Sequence, residues 1–348
     1  MKAAVFDAPR SLSVRKRNLM PLSSGSVRLK VISCAVCGSD QRIFKEGNSR
    51  IKEPRVLGHE IAGEIVELGI DVKKFKIGDR LSIGADIPCG NCYFCNNGQP
   101  NCCDINLAMG YQFDGGFAEY VTLDKLVVEE GPVRKFDNKT PFDLACMAEP
   151  LACCINGFEV ALAKSNQEIV IFGAGPIGIM LALLSKYYNC SNLIIIEPNT
   201  FRRNFAKKIF NDATVLNPEE VEVVDLILDK TMGRGADILF TACPVVETHK
   251  QAITCVAKKG VVNLFGGVPK IAPPIELLSN LIHYKEAYIT GSHGSTPKQH
   301  AKALDLICKR EIILDDLVSS RVKLDDINDV FTEEHIENNM KTIIKPNE

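Results

Sequence analysis

The stretch IVIFGAGPIG, residues 169–178, decides the fold of this chain. Four apolar residues are followed at once by Gly-x-Gly-x-x-Gly, and an apolar segment of helical length, residues 177–188, comes next. In such a strand–turn–helix unit the first glycine permits the tight turn, the second lets the backbone approach a pyrophosphate, and the third lets helix pack on strand. The helix N-terminus offers free N–H groups and a positive dipole end to phosphates. The stretch therefore predicts a dinucleotide-binding unit.

Further apolar runs follow at intervals that leave room for helices: residues 193–196, 237–240 and 261–265. Near-continuous Val, Ile and Leu runs are typical of parallel strands buried between helices. Glu197 ends the first run, where a carboxylate accepts hydrogen bonds from the ribose hydroxyls of NAD and repels the 2′-phosphate of NADP. Arg202 and Arg203 weaken that preference, because a nearby arginine can accommodate the phosphate. We predict a doubly wound parallel (Rossmann) sheet that binds NAD; the alternative is a glycine-rich turn in an ordinary α/β domain.

The rest of the chain follows a different pattern. Up to about residue 150, β-rich runs such as residues 26–32 and 116–121 alternate with closely spaced Gly and Pro, as in a small irregular β domain. Residues 139–163 have a largely helical pattern and would connect the two parts. Past about residue 290 the pattern is mixed again and ends in a short strand at residues 342–344. Since 348 residues exceed the usual size of one hydrophobic core, two domains are expected.

Bulk composition excludes several classes of function. A net charge of −2 provides no general attraction to nucleic acid or to an anionic membrane. No apolar run approaches the roughly 20 residues of a transmembrane helix, and the N-terminus lacks the pattern of a signal peptide. The expectation is a cytoplasmic protein without nucleic-acid or membrane partners.

Cysteine is unusually frequent, with 14 residues in the chain. Five of them fall in one Gly- and Asn-rich stretch and are Cys89, Cys92, Cys95, Cys102 and Cys103. Four thiolates from one short loop can surround a tetrahedral zinc ion, and a shell filled by protein makes the site structural. The first three are the predicted ligands, with either Cys102 or Cys103 as the fourth. Disulfides, a redox-active Cys-x-x-Cys and a zinc ribbon for nucleic acid are the alternatives, although in a reducing compartment such a cluster more often holds metal.

Three short motifs elsewhere carry further ligand candidates: Cys37-Gly38-Ser39-Asp40, Gly58-His59-Glu60 and Ala148-Glu149-Pro150. Taken singly, each candidate has a structural alternative. Cys37 could be a small core residue, His59 a satisfied interior imidazole, and Glu149 an ion-pair partner. Taken together, a thiolate, an imidazole and carboxylates form a mixed donor set that suits zinc, although other divalent ions could occupy it.

With the glycine loop and the cysteine-rich loop, these motifs resemble the zinc-containing medium-chain alcohol dehydrogenase family over essentially the whole chain. The pair Glu149-Pro150, where other alcohol dehydrogenases of the family have cysteine, makes the chain most similar to the branch of sorbitol, threonine and galactitol-1-phosphate dehydrogenases. The resemblance implies an α/β fold in two domains. These are a GroES-like β-rich catalytic domain, residues 1–155 and 290–348 with a zinc lobe at 86–106, and a Rossmann NAD-binding domain, residues 156–289.

The resemblance also implies a set of site residues and two zinc ions per chain. The catalytic zinc lies at Cys37, His59 and Glu149, with Glu60 as an alternative ligand that can replace water or substrate. Glu149 reaches the ion directly or through a bound water. Ser39 is the first step of a proton relay. The structural zinc is held by Cys89, Cys92, Cys95 and Cys103, and the cofactor contacts Gly173, Gly175, Pro176, Ile177, Gly178, Glu197 and Arg202.

The implied reaction is the NAD-linked oxidation of a secondary alcohol to the ketone, in which the metal polarises the hydroxyl group and the carbon passes hydride to the nicotinamide. Two departures from the family pattern bear on it. Many relatives carry a histidine five residues after the catalytic cysteine to complete the relay, and this chain has Arg42. Sorbitol dehydrogenases usually carry an Arg-Tyr pair where this chain has GSHGST, residues 291–296. Arg42 in place of the histidine leaves open how the proton reaches solvent. The missing Arg-Tyr pair counts against sorbitol itself as the substrate.

Three basic residues between Cys37 and His59 bear on the substrate: Arg42, Lys45 and Arg50. They could attract a phosphate, or they could belong to a solvated loop. The predicted substrate is therefore a polyol or a sugar phosphate, with a threonine-type or other secondary alcohol as the alternative. A non-enzymatic zinc- and NAD-binding protein could dispense with Cys37, His59 and Glu149. Because all three residues are present, an enzyme is favoured. The resemblance implies a homodimer or homotetramer.

Overall fold

The structure, a computed structural model, describes residues 1–52, 54–269 and 271–348. It divides into two compact units, which we call the first unit (Met1–Cys153 with Gly294–Glu348) and the second unit (Cys154–His293). The predicted domain boundaries, at residues 155 and 290, lie near these limits. Among the helices described, none is both long and apolar enough to cross a bilayer.

The N-terminal part of the first unit consists mainly of strands. They are β1 (Lys2–Ala8), β2 (Ser11–Lys16), β3 (Val27–Ala35), β4 (Arg55–Val56), β5 (Glu60–Leu68), β6 (Arg80–Ile83), β7 (Asp86–Ile87), β8 (Leu107–Ala108), β9 (Tyr120–Leu123) and β10 (Val133–Lys135). The helices between them are α1 (Gly38–Glu46), α2 (Tyr93–Asn96), α3 (Lys125–Glu130) and α4 (Phe142–Ala145), and α5 (Ala148–Val160) carries the chain into the second unit. The predicted helical pattern over residues 139–163 corresponds to α4 and α5.

One predicted strand, residues 116–121, is wrong in its first half, because β9 begins only at Tyr120. The preceding residues form only an isolated bridge to β1, between Ala118 and Ala3, and they also bond to the peptide before His59. The N–H of Gly116 donates to the Gly58 carbonyl at 2.8 Å, and that of Phe117 to the Leu57 carbonyl at 3.0 Å. Gly58 adopts a φ of +90°, and a Cβ on Gly115 would lie 2.1 Å from the Gly58 oxygen, so both positions require glycine. The irregular segment thereby fixes the backbone that leads into β5.

The second unit alternates strands and helices. Its strands are β11 (Glu168–Phe172), β12 (Asn192–Ile196), β13 (Thr214–Leu216), β14 (Ala236–Thr241), β15 (Val256–Leu264) and β16 (Tyr288–Gly291). Its helices are α6 (Pro176–Tyr187), α7 (Thr200–Ile209), α8 (Val223–Lys230), α9 (Val246–Cys255) and α10 (Ser279–Lys285). All strand pairs are parallel, in the order β13-β12-β11-β14-β15-β16. This order is that of a doubly wound dinucleotide-binding sheet, so the Rossmann prediction is confirmed.

The chain then returns to the first unit. The returning elements are α11 (Pro297–Cys308), β17 (Val318–Lys323), α12 (Glu333–Asn338) and β18 (Lys341–Lys345). β18 pairs antiparallel with β3 and parallel with β17, which extends a sheet of order β10-β6-β5-β3-β18-β17, with β9 also on β3. The strand predicted at residues 342–344 is therefore confirmed as the centre of β18, and it brings the C-terminal lysines beside β3 and β5.

Candidate active site and cofactor loop

Cys37, His59 and Glu60 form a compact donor set in the first unit. Cys37 is the N-cap of α1, Glu60 begins β5, and His59 immediately precedes it. One ligand atom from each of the three residues lies within 4.8 Å of the other two. A sulfur, an imidazole nitrogen and a carboxylate oxygen at this spacing suit a single zinc ion.

The buried carboxylate of Asp40 orders this donor set. It accepts the N–H of Cys37 at 2.9 Å and that of Gly58 at 3.3 Å, and it faces Nδ1 of His59 at 3.5 Å. Burial by itself would lower the pKa of His59, but the negative charge of Asp40 outweighs it and raises the pKa well above the usual value. A carboxylate on one ring nitrogen orients the other nitrogen toward a metal. The motif Cys37-Gly38-Ser39-Asp40 does not by itself indicate this role for Asp40, although a carboxylate at the third position after an N-cap is a capping-box signal.

Ser39, the predicted start of the proton relay, lies beside His59, with Oγ 3.3 Å from Nε2. Tyr111 also lies near His59, its ring centroid 6.3 Å from that of His59. The guanidinium of Arg50 lies 4.7 Å above the Tyr111 ring and donates to the Asn106 carbonyl oxygen. The sequence does not indicate a role for Tyr111, because this residue belongs to the irregular segment after the cysteine-rich loop and matches no motif.

Glu60 is completely buried, and among the described residues only one of its two carboxylate oxygens has a hydrogen-bond partner. Its Oε1 accepts a hydrogen bond from Lys341 Nζ at 2.6 Å, whereas Oε2 is buried and has no hydrogen-bond partner among the described residues. A buried carboxylate oxygen without a partner is costly, and a cation bound beside Cys37 and His59 would satisfy it. The residues present therefore fit a zinc ion.

Glu149 lies outside this compact set. It is buried near the start of α5, and Oε1 accepts a hydrogen bond from the Cys153 thiol at 3.6 Å. Burial raises the pKa of Glu149 to about 7; the charges of Glu60 and Asp86 add to the shift, and that of His59 opposes it. Its predicted role as a ligand, direct or through water, stays a prediction.

The cysteine-rich loop forms a second donor set, from Cys89, Cys92, Cys95 and Cys103. Sulfur–sulfur distances are 3.5 Å for Cys92–Cys95, 3.9 Å for Cys92–Cys103 and 4.0 Å for Cys89–Cys95. Tetrahedral zinc at about 2.3 Å from each sulfur requires sulfurs about 3.8 Å apart, so the set fits the ion. All the cysteines are free thiols, which excludes disulfides here.

Cys103, not Cys102, points into this second set. Cys102 is exposed, and the N–H of Cys89 donates to Sγ of Cys103 at 3.3 Å. Burial, the largest influence, would raise the pKa of Cys103, but backbone N–H groups of Asn106, Cys89 and Ile105 outweigh it and lower the pKa to about 6. N–H groups directed at a sulfur favour the thiolate that a metal binds.

The glycine loop of the second unit connects β11 to α6. Gly173 adopts a φ of +104°, and a Cβ on Gly178 would lie 1.9 Å from the Gly173 oxygen. Gly175 is the N-cap of α6, with Pro176 in its first turn and Ile177 following. The exposed N–H groups of this helix start can accept a pyrophosphate.

Glu197, at the end of β12, is buried against the glycine loop. Its Oε2 accepts the N–H of Ala174 at 2.7 Å and its Oε1 that of Asn199 at 2.9 Å. A carboxylate has about four lone-pair sites, so two remain for hydroxyl donors. The two arginines diverge: Arg203 donates to the Glu197 and Pro198 carbonyls, whereas Nη1 of Arg202 lies 3.8 Å from the position of a Cβ on Gly175.

Comparison with known proteins agrees with both units. A model of the alcohol dehydrogenase GroES-like domain matches residues 23–132, and a model of zinc-binding dehydrogenases matches residues 176–309. L-threonine 3-dehydrogenase of Pyrococcus abyssi (strain GE5 / Orsay) is 36% identical over 278 residues, 78% of this chain and 76% of that protein. Sorbitol dehydrogenase of Halalkalibacterium halodurans is 32% identical over 298 residues, 84% and 83% of the two chains.

A solved zinc-binding dehydrogenase from Sinorhizobium meliloti 1021, bound to NADP, has a TM-score of 0.91 at 27% identity and covers 99% of both chains. A GroES-like unit joined to a Rossmann unit defines an oxidoreductase of the dehydrogenase class. The chain belongs to the zinc-containing medium-chain alcohol dehydrogenase family, as the resemblance of its motifs predicted.

Proposed function

We propose that this chain is a zinc-dependent, NAD-linked dehydrogenase that oxidises a secondary alcohol of a polyol to the ketone. The observation that carries the proposal is the donor set of Cys37, His59 and Glu60, whose ligand atoms lie within 4.8 Å of one another. Beside it, Ser39 Oγ lies 3.3 Å from His59 Nε2. A donor set with an adjacent hydroxyl provides both a metal ligand shell and a first proton acceptor.

The roles of the residues follow from this geometry. A zinc ion held by Cys37, His59 and Glu60 would supply Lewis-acid polarisation of the alcohol oxygen. The hydroxyl of Ser39 receives the proton from the alcohol, as in the predicted relay. Asp40 fixes the His59 ring and the Cys37 backbone. Glu149 lies close enough to interact electrostatically with His59 and Glu60, and it acts on the same ion directly or through water.

The second donor set, Cys89, Cys92, Cys95 and Cys103, holds a structural zinc in this proposal. All four positions of a tetrahedral shell are filled by protein thiolates, which leaves no position for substrate. The chain therefore carries two zinc ions with different tasks.

NAD is the proposed cofactor. The buried carboxylate of Glu197 lies beside the loop amide of Ala174, where it repels a 2′-phosphate and retains lone pairs for ribose hydroxyls. Arg203 is engaged with backbone carbonyls, so only Arg202 remains near the loop to favour NADP. The Sinorhizobium meliloti structure holds NADP, which makes NADP the competitor to be tested.

A free polyol fits the surrounding charges better than a phosphorylated one. Arg50 donates to the Asn106 carbonyl and stacks on Tyr111, and Lys45 pairs with Glu333 at 3.7 Å. Asp86, whose charge adds to the upward shift of the Glu149 pKa, contributes a further carboxylate. Carboxylates accept hydrogen bonds from hydroxyl groups and repel a phosphate.

Threonine is the second candidate substrate. The observation that favours it is the 36% identity to the L-threonine 3-dehydrogenase of Pyrococcus abyssi, against 32% to the sorbitol dehydrogenase of Halalkalibacterium halodurans. The same machinery would oxidise the threonine hydroxyl, with Asp86 as a counter-charge for the ammonium group.

We further propose a homo-oligomer in which β16 contacts a second copy. Among the described strands, β16 ends the Rossmann sheet and pairs on one side only, with β15. Tyr288 on this strand and the nearby Leu278 and Tyr284 are exposed apolar residues. An unpaired edge with apolar neighbours favours pairing with another chain. Sedimentation of the wild type and of Tyr288→Lys tests it, because the variant should dissociate to smaller species.

The decisive experiment measures NAD- and NADP-dependent oxidation of sorbitol, xylitol, galactitol 1-phosphate, threonine and simple secondary alcohols, with and without 1,10-phenanthroline. We expect chelator-sensitive, NAD-dependent turnover of a free polyol. Preference for the phosphorylated substrate, lost in Arg42→Glu, would replace the polyol by a sugar phosphate, and preference for threonine would establish the second candidate. If none of the alcohols reacts although NAD binds, the proposed substrate class is wrong.

A further inference from the structure

Lys341 is a buried lysine for which the proposed function has no use. It begins β18, and its side chain is 5% exposed. Nζ donates to Glu60 Oε1 at 2.6 Å and to the Val36 carbonyl at 3.0 Å. An ammonium group is excluded from the protein interior unless it is paired, so the position of Lys341 requires an anionic partner beside the donor set.

These two bonds connect both segments that carry the donor set. Val36 immediately precedes Cys37, and Glu60 immediately follows His59. β18 holds Lys341 in place, because the N–H of Val36 donates to the Thr342 carbonyl at 2.9 Å and Ile343 pairs with Ala35. Lys341 therefore ties the returning C-terminal strand to the peptide before one donor and to the side chain of another.

The two oxygens of Glu60 are in different situations. Oε1 is held by Lys341, and Oε2 is buried without a hydrogen-bond partner in the described part of the chain. Because Lys341 holds Oε1, the carboxylate group of Glu60 cannot rotate freely, and the direction of Oε2 is fixed as well. A ligand whose direction is fixed loses less conformational freedom when it binds an ion.

The charges are also complementary. Cys37 as thiolate, Glu60 and Glu149 would place three negative charges around a divalent cation, an excess of one. The ammonium group of Lys341, with Nζ 2.6 Å from Glu60 Oε1, places a positive charge beside these carboxylate and thiolate groups and compensates the excess.

We propose that Lys341 is a positioning residue that holds Glu60 Oε1 so that Oε2 is presented as a standing protein ligand of the catalytic metal. The inference rests on the proposed zinc site. It makes Glu60 a constant member of the ligand shell and makes metal retention depend on a residue 281 positions away in the sequence.

The test compares Lys341→Met, Lys341→Arg and Lys345→Met with the wild type. Lys345 is a matched control, because it also lies buried on β18 and forms an ion pair, with Asp143 at 3.0 Å, that does not involve the donor set. The readouts are the rate of zinc transfer from the holoenzyme to excess 4-(2-pyridylazo)resorcinol and the visible spectrum of the cobalt-substituted enzyme. Circular dichroism reports folding.

We expect Lys341→Met to release one of the two zinc ions about 10–100-fold faster, the usual size of such an effect, and to shift the cobalt bands. Lys341→Arg should restore both properties to within a few-fold, and Lys345→Met should match the wild type in both even if it is less stable. Equal zinc release from Lys341→Met and Lys345→Met, or unchanged cobalt bands, would overturn the inference.

Glu60→Gln provides an independent variant if Lys341→Met does not fold, because it removes the ligand charge and keeps the side-chain shape. It should show the same faster zinc release, and wild-type retention would equally overturn the inference. Failure of the proposed function is distinguishable. In that case the wild type holds no zinc that depends on His59, whereas failure of the inference alone leaves two ions bound and only the Lys341 effect absent.

Discussion

The two cysteine-containing donor sets of this chain are built in opposite ways. Cys89, Cys92, Cys95 and Cys103 come from one loop of fifteen residues, and most of them are partly exposed. Cys37, His59 and Glu60 come from the start of a helix and of a strand, and Asp40 and Lys341 hold them from elsewhere in the first unit. The cysteine-rich set is defined by spacing along the chain, whereas the set of Cys37, His59 and Glu60 is defined by tertiary packing.

This difference has energetic consequences. A loop that is ordered by its own metal loses that order when a ligand is removed, because binding free energy is local folding free energy. A donor set ordered by buried hydrogen bonds and ion pairs keeps its backbone without the metal. Loss of a ligand should therefore unfold the cysteine-rich loop but leave the Cys37 site folded and inactive.

The largest expected effect is that of His59→Asn on turnover. Removal of the imidazole nitrogen deprives the donor set of a ligand at its centre, and activity should fall at least about 10³-fold, since the polarisation lost corresponds to several kcal/mol. Zinc content should fall by about one ion per chain while circular dichroism and the thermal midpoint change little. Steady-state rates and metal analysis check this; a variant with substantial turnover and full zinc content would contradict the site.

Next in size is the effect of Cys103→Ser on stability, with Cys102→Ser as its matched control. Cys103 belongs to the cluster of four sulfurs and Cys102 is exposed. Cys103→Ser should lose the other zinc and destabilise the protein by roughly 3 kcal/mol or more, as expected for loss of a metal. Cys102→Ser should match the wild type. Thermal inactivation and zinc analysis distinguish the two variants. The reverse pattern would show that Cys102, and not Cys103, is the fourth zinc ligand.

The same contrast explains how far the sequence could predict the structure. The glycine loop, the Rossmann strands and the cysteine-rich loop follow from short-range spacing, and the predicted strands at residues 169–172, 193–196 and 237–240 are confirmed. The edge strands β13 and β16 are not indicated by the sequence, because they are three and four residues long and lack fully buried positions.

The details around the catalytic donor set depend on contacts between distant segments. Tyr111 and Asp40 approach His59 from different segments of the first unit. The partner of Glu60 comes from β18, 281 residues later. No periodicity or motif indicates that pairing before the register of β18 on β3 is known. The late start of the strand within residues 116–121 has the same origin, because Gly116 and Phe117 donate to the carbonyls of Gly58 and Leu57 and only an isolated bridge, Ala118 with Ala3, connects this part to β1.

A smaller effect is expected from Asp40→Asn, which tests whether the donor set of Cys37, His59 and Glu60 depends on its surroundings. The amide keeps the size of the side chain but can present only one oxygen to Cys37, Gly58 and His59. Catalytic efficiency or zinc affinity should fall by about 10–100-fold, corresponding to about 1.4–2.7 kcal/mol. Chelator competition and kcat/KM measure it, with Asp325→Asn, an exposed surface pair with Lys2, as control. Equal zinc affinity and kcat/KM in both variants would show that the Asp40 carboxylate does not order the donor set.

The smallest expected effect is that of replacing His300 on the pH dependence of stability. Like His59, His300 is a buried histidine of the first unit, but it belongs to no candidate metal cluster among the described residues. His300 on α11 lies with Nε2 3.2 Å from Ser82 Oγ, whose hydroxyl donates to the Ala145 carbonyl. Burial, aided by the charge of Arg134, lowers the pKa of His300 to about 3. The imidazole is therefore neutral in the folded state throughout the physiological range.

Because the folded pKa lies below the ordinary value of about 6.5, the unfolded chain binds more protons between these two values. The contribution of His300 is complete above about pH 6.5 and is lost as the pH falls toward 3. At pH 5.5 the loss is about 1.4 kcal/mol relative to pH 7.5. His300→Gln cannot titrate, so the decrease in the free energy of unfolding between these pH values, measured with urea, should be smaller by this amount. An identical decrease in both proteins would mean that His300 has the same pKa in the folded and the unfolded chain, and that burial without a metal or carboxylate does not keep this imidazole neutral.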